Sequence, residues 1–290
     1  MSPLTDSVPD ITALRRLEWA LPPTEVSCHM ATQLAEDRRL AASRPPLLMI
    51  HGAFMGAWVW ERHWMGEAAR LGWDCHALSL RGHGKSDGHD RRHRWLMRDY
   101  VQDVLQAIGR LDRPPVLIGH SMGAAIVERV AARYPAPATV LLGPTGGLIG
   151  PHLALQIAAI SPTDLLQGLL ARPLDARHEF LFASSTPRRQ TLAALAQTHP
   201  LSVLNQVELA LPKPLEASQS PIIVIAMAQD NLIPVHAAER YAQRRGVPLT
   251  LVPHAGHTPH LEPDHWEDAL HITLQRVEHT LALQPPINQR

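Results

Sequence analysis

The pentapeptide "GHSMG", residues 119–123, places a serine between two glycines, after the apolar run "PVLI" and before the helical pattern "AAIVERVAARY". A serine hydroxyl is a poor nucleophile until a base removes its proton, and that base is commonly a histidine oriented by a carboxylate. A serine between a buried strand and a helix lies on a sharp turn, and Gly119 and Gly123 leave room for that turn because they have no Cβ. The pattern predicts that Ser121 is a nucleophile in covalent catalysis.

An acid and a histidine follow Ser121 in the order that such a site requires on a parallel sheet. The apolar run "PIIVIAMAQD" ends in Asp230, and the next run, "PLTLVP", leads into "HAGH", which ends in His257. Both residues come just after a predicted strand, so we expect them at the same carboxyl edge of the sheet as Ser121. We therefore predict Asp230 as the acid and His257 as the base.

Three histidines, His254, His257 and His260, lie within the seven residues of "HAGHTPH". A metal site would need further ligands to converge with them, and the nearby sequence provides no convincing set. His257 is preferred as the base because it directly follows Gly256 at the turn that leaves the last strand. The other two histidines are predicted to be neighbours without a catalytic role, and neither a metal nor a cofactor is expected.

Two backbone N–H groups are the expected donors to a developing oxyanion. Met122 follows the nucleophile and opens a helix, where the helix dipole also favours negative charge. The second donor should come from "LLMIHGAFMGAW", in which Gly52 lets the chain bend back toward Ser121. Ala53 is the first candidate for that donor, and Phe54 is the second.

These residues require a sheet whose strands are buried on both faces. Helical patterns alternate with apolar runs along the chain, and in residues 98–111 apolar side chains recur at offsets 0, 3, 4, 7 and 10. The alternation predicts an α/β protein with a doubly wound sheet and helices on both faces. A further pattern in residues 17–35 predicts a pair of antiparallel edge strands. Six runs are apolar at consecutive positions, as is typical of parallel strands covered by helices: "PLLMIHG", "CHALSL", "PVLIGHS", "ATVLLGP", "PIIVIAMAQD" and "PLTLVPHAGH".

From about Thr145 to Ser220 the alternation stops. Helical stretches such as "HLALQIAAI" and "RRQTLAALAQ" are interrupted by turn signals, and no convincing buried strand occurs. The segment is too long for a connecting loop, so we predict a helical insertion at the edge of the sheet. Six of its apolar residues are candidates either for lining a substrate pocket or for packing within the insertion: Leu165, Leu166, Leu169, Leu170, Phe180 and Phe182.

The composition argues for a small-molecule partner. Lys+Arg and Asp+Glu both number 27, so no net charge attracts nucleic acid or an anionic membrane.

Cys28 and Cys75 lack ligand-like spacing, and we predict no disulfide. The N-terminus has no signal-peptide pattern, and no run of about 18 apolar residues occurs, which predicts a cytoplasmic protein without a membrane span. A homodimer is compatible with the sequence. The basic residues Arg91, Arg92 and Arg94 are predicted to lie in a solvated loop rather than to contact an acidic substrate.

Five motifs resemble those of the α/β-hydrolase superfamily, in the order "HGAFMGAWVW", "SLRGHGKSDG", "GHSMG", "AQDNLIP" and "GHTPHLEP". The resemblance runs from Pro46 to about Leu283. It implies a mostly parallel eight-stranded sheet with helices on both faces and a helical cap inserted after the sixth strand. Residues 1–144 and 221–290 would form the core, and residues 145–220, here named the cap segment, would form the cap.

The resemblance also implies site residues and an activity. Its first motif is similar to that of plant methyl esterases and hydroxynitrile lyases, whereas "RGHGKS" with "GHSMG" is similar to monoglyceride lipases and bacterial carboxylesterases. We predict a serine carboxylic ester hydrolase that acts on a small, largely apolar substrate through an acyl-enzyme, with Phe54, Trp58 and His120 as candidate substrate contacts. Carried over position by position, the family's roles fall on these residues: Ser121 as nucleophile, Asp230 as acid, His257 as base, and Ala53 and Met122 as N–H donors.

Other hypotheses use the same residues. The nucleophile, acid and base would also serve in the hydrolysis of a thioester, a lactone or a carbon–carbon bond, or in acyl transfer to an alcohol. A ligand-binding receptor that keeps the fold without catalysis is a third hypothesis. A substrate panel compared between the wild type and Ser121→Ala discriminates among them.

Overall fold

Seven strands form one sheet in the computed structural model, which describes residues 26–144, 158–159, 161–163, 166, 172–211 and 214–283. The order of the strands across the sheet is β1-β3-β2-β4-β5-β6-β7. The strands are β1 (Met30–Gln33), β2 (Leu47–Ile50), β3 (Cys75–Leu78), β4 (Val116–His120), β5 (Thr139–Leu142), β6 (Ile222–Met227) and β7 (Leu249–Val252).

The sheet is parallel except at one edge, where β1 pairs with β3 in the antiparallel sense. Every residue of β2, β4 and β5 is buried, so both faces of the central sheet are covered. This burial is the physical reason for the consecutive apolar residues in these runs, since neither face of the strand meets water.

Ten α-helices and two 3₁₀ helices have both of their ends within the described residues. None of these helices combines the length and the apolar content needed to cross a bilayer. In the helix that begins at Met97, the predicted apolar stripe is directed inward, with Val104, Leu105 and Ile108 buried. The α-helices are α1 (Arg38–Ala42), α2 (Trp58–Glu61), α3 (Trp64–Arg70), α4 (Met97–Ile108), α5 (Met122–Ala131), α6 (His178–Leu181), α7 (Arg188–Leu195), α8 (Val203–Ala210), α9 (Val235–Arg245) and α10 (Trp266–Ala282), and the 3₁₀ helices span His89–Arg94 and Pro259–Leu261.

The cap segment leaves the sheet after β5 and returns at β6. Its described part contains α6, α7 and α8 together with one isolated β-bridge between Leu174 and Leu201. Hydrogen bonds attach it to the core: the His199 N–H donates to the Phe54 carbonyl (2.8 Å), and the Asn205 amide donates to the Tyr100 hydroxyl (2.9 Å). The helix predicted around "HLALQIAAI" lies mostly outside the described residues.

The strand count differs from the expectation of eight, since the described residues contain seven strands. The predicted antiparallel edge pair lies in residues 17–35; its second member is β1, and its first falls within residues 1–25, which the structure does not describe. Among the described strands, the cap segment consequently follows the fifth rather than the sixth.

Candidate active site

Three loops at the carboxyl edge of the sheet bring Ser121, Asp230 and His257 together. Ser121 directly follows β4, Asp230 lies three residues after β6, and His257 follows β7 after a short turn. The Nε2 atom of His257 lies 2.9 Å from the Ser121 hydroxyl oxygen, and its Nδ1 lies 2.8 Å from Asp230 Oδ2. Because a carboxylate only accepts, Nδ1–H donates to Asp230, which leaves Nε2 free to accept from the serine hydroxyl.

Ser121 occupies a strained backbone conformation, with φ 53° and ψ −113°. This conformation is unusual for a residue with a Cβ and turns the chain directly from β4 into α5. The two flanking glycines have no space for a side chain. A Cβ at Gly119 would lie 2.3 Å from the Gly123 carbonyl oxygen, and a Cβ at Gly123 would lie 2.3 Å from the Ile50 carbonyl oxygen. The turn therefore requires glycine at both positions.

Asp230 is fixed by its own loop. Its Oδ1 accepts the N–H groups of Leu232 (2.8 Å) and Ile233 (2.7 Å), while Oδ2 accepts from His257. The side chain is nearly inaccessible to water, with 1% of its surface exposed. The carboxylate is thus directed at His257 by contacts that involve no mobile side chain.

The predicted N–H donors, Ala53 and Met122, lie on two elements beside Ser121. Met122 is the first residue of α5, so its N–H has no acceptor within the helix. The loop after β2 approaches Ser121 closely, because a Cβ at Gly52 would lie 3.2 Å from the Ser121 Cβ. Ala53 and Phe54 follow in that loop and line the cavity next to Ser121; Phe54 has a positive φ of 70°.

His120 connects the loop of Ser121 to the loop of His257. Its ring is fully buried, and its Nε2–H donates to the His257 carbonyl oxygen at 2.7 Å. Burial, reinforced by the neighbouring His260 and His257, lowers the pKa of His120 well below its usual value. The ring is therefore neutral and acts as a spacer between the two loops, a contact that the sequence did not indicate.

A small cavity of about 80 Å³ opens beside Ser121 and His257. It includes two of the predicted substrate contacts, Phe54 and His120, whereas Trp58 is half-buried against the core and is not among the lining residues. Apart from Ser121 and the two histidines, the described lining has one polar side chain, that of the exposed Asp175. The remaining lining residues are apolar: Ala53, Met55, Leu174, Phe180, Leu181, Leu201, Leu209, Leu232 and Ile233.

Of the six apolar candidates in the cap segment, Phe180 lines this cavity. Phe182 is buried but is not part of the lining, and Leu166 is 55% exposed. Three candidates lie outside the described residues: Leu165, Leu169 and Leu170.

The three histidines of "HAGHTPH" have different surroundings. His254 is exposed at a turn with φ 62°, whereas His260 is fully buried and stacks on Trp60 with 4.5 Å between ring centroids. His260 also contacts the His120 ring edge-on, at 4.7 Å. Of the three, His257 alone is hydrogen-bonded to Ser121 and Asp230.

The basic residues after β3 do not line the cavity. Arg91 and Arg94 are exposed, and the Arg92 side chain donates to the Gly82 carbonyl at 2.8 Å. Among the described residues, one group of possible metal ligands occurs, Glu67, Glu267 and His271, on another part of the surface. Arg70 already donates to both Glu67 oxygens there.

The sequence alone predicts no role for Glu262 or Thr258. Both are fully buried, and both are hydrogen-bonded to the backbone of the cap segment at Leu181 and Ala183. Burial raises the pKa of Glu262 above its ordinary value, and the backbone donors oppose this shift. The signal in the sequence is a glutamate between Leu261 and Pro263, in the stretch "PHLEP".

The sequence and the fold are similar to those of known proteins. A model of the alpha/beta hydrolase family matches residues 47–269. The monoacylglycerol lipase of Mycolicibacterium smegmatis is 29% identical over 210 residues, which cover 65% of this chain and 72% of the lipase. Protein phosphatase methylesterase 1 of Mus musculus is 37% identical over 103 residues, or 34% of this chain and 26% of that protein. An esterase from Exiguobacterium antarcticum has a similar fold, with a TM-score of 0.63 and 16% identity over 87% of this chain and 96% of the esterase.

Proposed function

Because the chain belongs to the alpha/beta hydrolase family, we propose that it is a serine hydrolase that cleaves a carboxylic ester of a small, largely apolar substrate. The observation that carries the proposal is the hydrogen-bonded series from Ser121 through His257 to Asp230, at 2.9 Å and 2.8 Å. This arrangement has the geometry needed to remove a proton from the serine hydroxyl.

The reaction would proceed through an acyl-enzyme. His257 Nε2 takes the Ser121 proton as the oxygen attacks the ester carbonyl, and Asp230 stabilises the resulting imidazolium. The N–H groups of Ala53 and Met122 stabilise the oxyanion, and His257 then gives its proton to the leaving alcohol. In the second half of the reaction, water deprotonated by His257 attacks the acyl-enzyme, which releases the acid and restores Ser121.

The lining of the cavity supports an apolar acyl group. Phe54, Phe180 and Ile233 present hydrocarbon surface next to Ser121, and burying such surface favours binding of an apolar ligand. The named relatives include a monoacylglycerol lipase and a methylesterase, which favours an ester over the alternatives. The same three residues would also serve with a thioester, a lactone or a carbon–carbon bond, so the test must include these substrates.

The decisive experiment is a substrate panel with Ser121→Ala. We expect the wild type to hydrolyse short p-nitrophenyl esters and the variant to lose at least about a thousandfold in kcat, with its fold intact by circular dichroism. Ser43→Ala, at an exposed serine on the end of α1, serves as the matched control and should keep wild-type activity. Near wild-type activity in Ser121→Ala would refute the proposal, and hydrolysis of thioesters or lactones in preference to esters would reassign the substrate.

A further inference from the structure

The loop that carries His257 is hydrogen-bonded to the cap segment on both sides of that histidine. On one side, the Gly256 N–H donates to both oxygens of Glu262 (3.2 and 3.0 Å), and Glu262 Oε1 also accepts the Ala183 N–H at 2.5 Å. On the other side, the N–H and the hydroxyl of Thr258 both donate to the Leu181 carbonyl, at 2.8 and 2.6 Å.

These contacts lie in a closely packed interior. Glu262 and Thr258 are fully buried, so water does not compete for their hydrogen bonds. Gly256 touches the cap segment directly, because a Cβ there would lie 2.1 Å from the Ala183 nitrogen and 2.5 Å from the Phe182 carbonyl carbon. A displacement of residues 181–183 relative to residues 256–258 would therefore cause clashes or break these hydrogen bonds.

The cap side of this junction is also a wall of the cavity. Phe180 and Leu181 line the space beside Ser121. The wall that would contact an acyl group and the ring that would take the proton from Ser121 are consequently linked through four buried residues: Leu181, Ala183, Thr258 and Glu262.

We propose that Glu262 is a positioning residue that holds the loop of His257 in a fixed position relative to the cap segment. The cavity wall and the base would then move as one unit. The inference rests on the proposed function and adds a residue that touches neither substrate nor Ser121. Thr258 serves the same junction from the other side of His257. A catalytic base must lie within hydrogen-bond reach of its proton, and a displacement of about 1 Å costs up to about a hundredfold in rate.

A carboxylate is the group that suits this position. Two backbone N–H donors, those of Ala183 and Gly256, converge on it, and a carboxylate offers acceptors on both oxygens. In Glu262→Gln, one oxygen becomes an NH₂ group, which faces an N–H donor and repels it. The variant keeps the size of the side chain and changes its hydrogen bonding.

The experiment compares kcat and KM on p-nitrophenyl butyrate for Glu262→Gln, Thr258→Val and the wild type. Active sites are counted from the end-point stoichiometry of labelling by a fluorophosphonate. We expect Glu262→Gln to lower kcat per labelled site by about tenfold or more while KM stays within about twofold, because the cavity side chains remain. Thr258→Val, which removes one hydroxyl donor, should lower kcat per site by about fivefold. Glu179→Gln, at an exposed acid of α6, is the control and should match the wild type.

The outcomes separate the two proposals. A wild type that neither labels at Ser121 nor cleaves any ester refutes the proposed function. A wild type that labels and cleaves, with Glu262→Gln showing fewer labelled sites but wild-type kcat per site, assigns Glu262 to stability alone and overturns this inference. If Glu262→Gln does not fold, Thr258→Val decides, and wild-type kcat in that variant overturns the inference as well.

Discussion

Among the described residues, His260 is a buried polar side chain that has no polar partner. Both of its ring nitrogens are enclosed, and neither has a hydrogen bond within the structure. Burial lowers the pKa of His260 to about 3, so the ring is neutral at physiological pH. The contacts that it does make are those of an aromatic ring, with stacking on Trp60 and an edge contact to His120. The packing thus uses the ring of His260 and not its nitrogens.

We expect His260→Phe to stabilise the protein. Phenylalanine keeps the stacking on Trp60 and removes two unpaired buried nitrogens, which should raise the free energy of unfolding by about 1–3 kcal/mol. Urea denaturation at pH 7 measures the difference. A loss of stability would show that the nitrogens are hydrogen-bonded in solution, for instance to a buried water molecule.

Residue types and their order predicted the position of His257, but not the surroundings of its neighbours. His254 and His260 each lie three residues from His257 in the sequence, yet His254 is exposed and His260 is fully buried. The difference arises because the turn at His254 leaves the sheet, whereas His260 packs beneath α2 against Trp60. Such long-range packing leaves no local pattern in a sequence. Glu262 escaped prediction for the same reason, because its partner Ala183 is 79 residues distant.

At the scale of elements, the effect of a glycine depends on its surroundings. Gly123 at the start of α5 touches the backbone of β2, whereas Gly66 lies exposed within α3 with nothing near its missing Cβ. Chain flexibility alone makes glycine unfavourable within a helix, by about 0.5–1 kcal/mol relative to alanine. The two positions therefore form a matched pair.

Gly66→Ala should raise the free energy of unfolding by about 0.5–1 kcal/mol, because the new methyl group meets no neighbour. Gly123→Ala should destabilise by several kcal/mol, since a Cβ 2.3 Å from the Ile50 carbonyl forces the helix away from the sheet. Thermal unfolding of the two variants tests the contrast. Equal shifts in melting temperature would mean that the contact at Gly123 relaxes easily.

Element types were predictable where burial is uniform. The alpha/beta hydrolase fold is confirmed, because consecutive apolar residues such as those of β2 and β5 have one explanation, a strand covered on both faces. The order of the strands was not readable from these runs, since all of them look alike. It depends on which helices cross the sheet on which side, and this is decided by tertiary packing.

For the whole molecule, buried histidines set the response to acid. Burial lowers the pKa of His51 to about 4 and that of His260 to about 3, and it lowers the pKa values of His83 and His120 as well. Unfolded histidine binds a proton near pH 6.5, while these folded side chains do not, so acid favours the unfolded chain. Glu262 acts in the opposite direction, because burial raises its pKa and the folded state takes up that proton first.

Stability should therefore fall as the pH drops from about 6.5 toward 4, and the loss should be smaller in His260→Phe. Each histidine with a lowered pKa contributes a slope of up to about 1.4 kcal/mol per pH unit within this window, and His260→Phe removes one such contribution. The difference in unfolding free energy between variant and wild type should widen by that amount from pH 6 to pH 5 in urea titrations. A constant difference would mean that the His260 ring takes up a proton in the folded protein.

The equal numbers of acidic and basic residues conceal this behaviour. A count of 27 each gives the formal net charge near neutral pH, whereas the response to acid depends on which of the 18 histidines are buried. Composition alone does not give the number of buried histidines. It follows from the fold, which encloses the histidines near the carboxyl edge of the sheet.

The conformation of Ser121 has a consequence for descent. Glycine adopts φ 53° and ψ −113° without the clash that a Cβ creates, so the least strained residue at this position is one that has no hydroxyl. Serine at this position is therefore kept at a small cost in stability relative to glycine. In a duplicated gene that is no longer selected for the proposed reaction, we expect position 121 to be among the first to change. Its replacement by glycine would remove the activity and raise the stability of the protein.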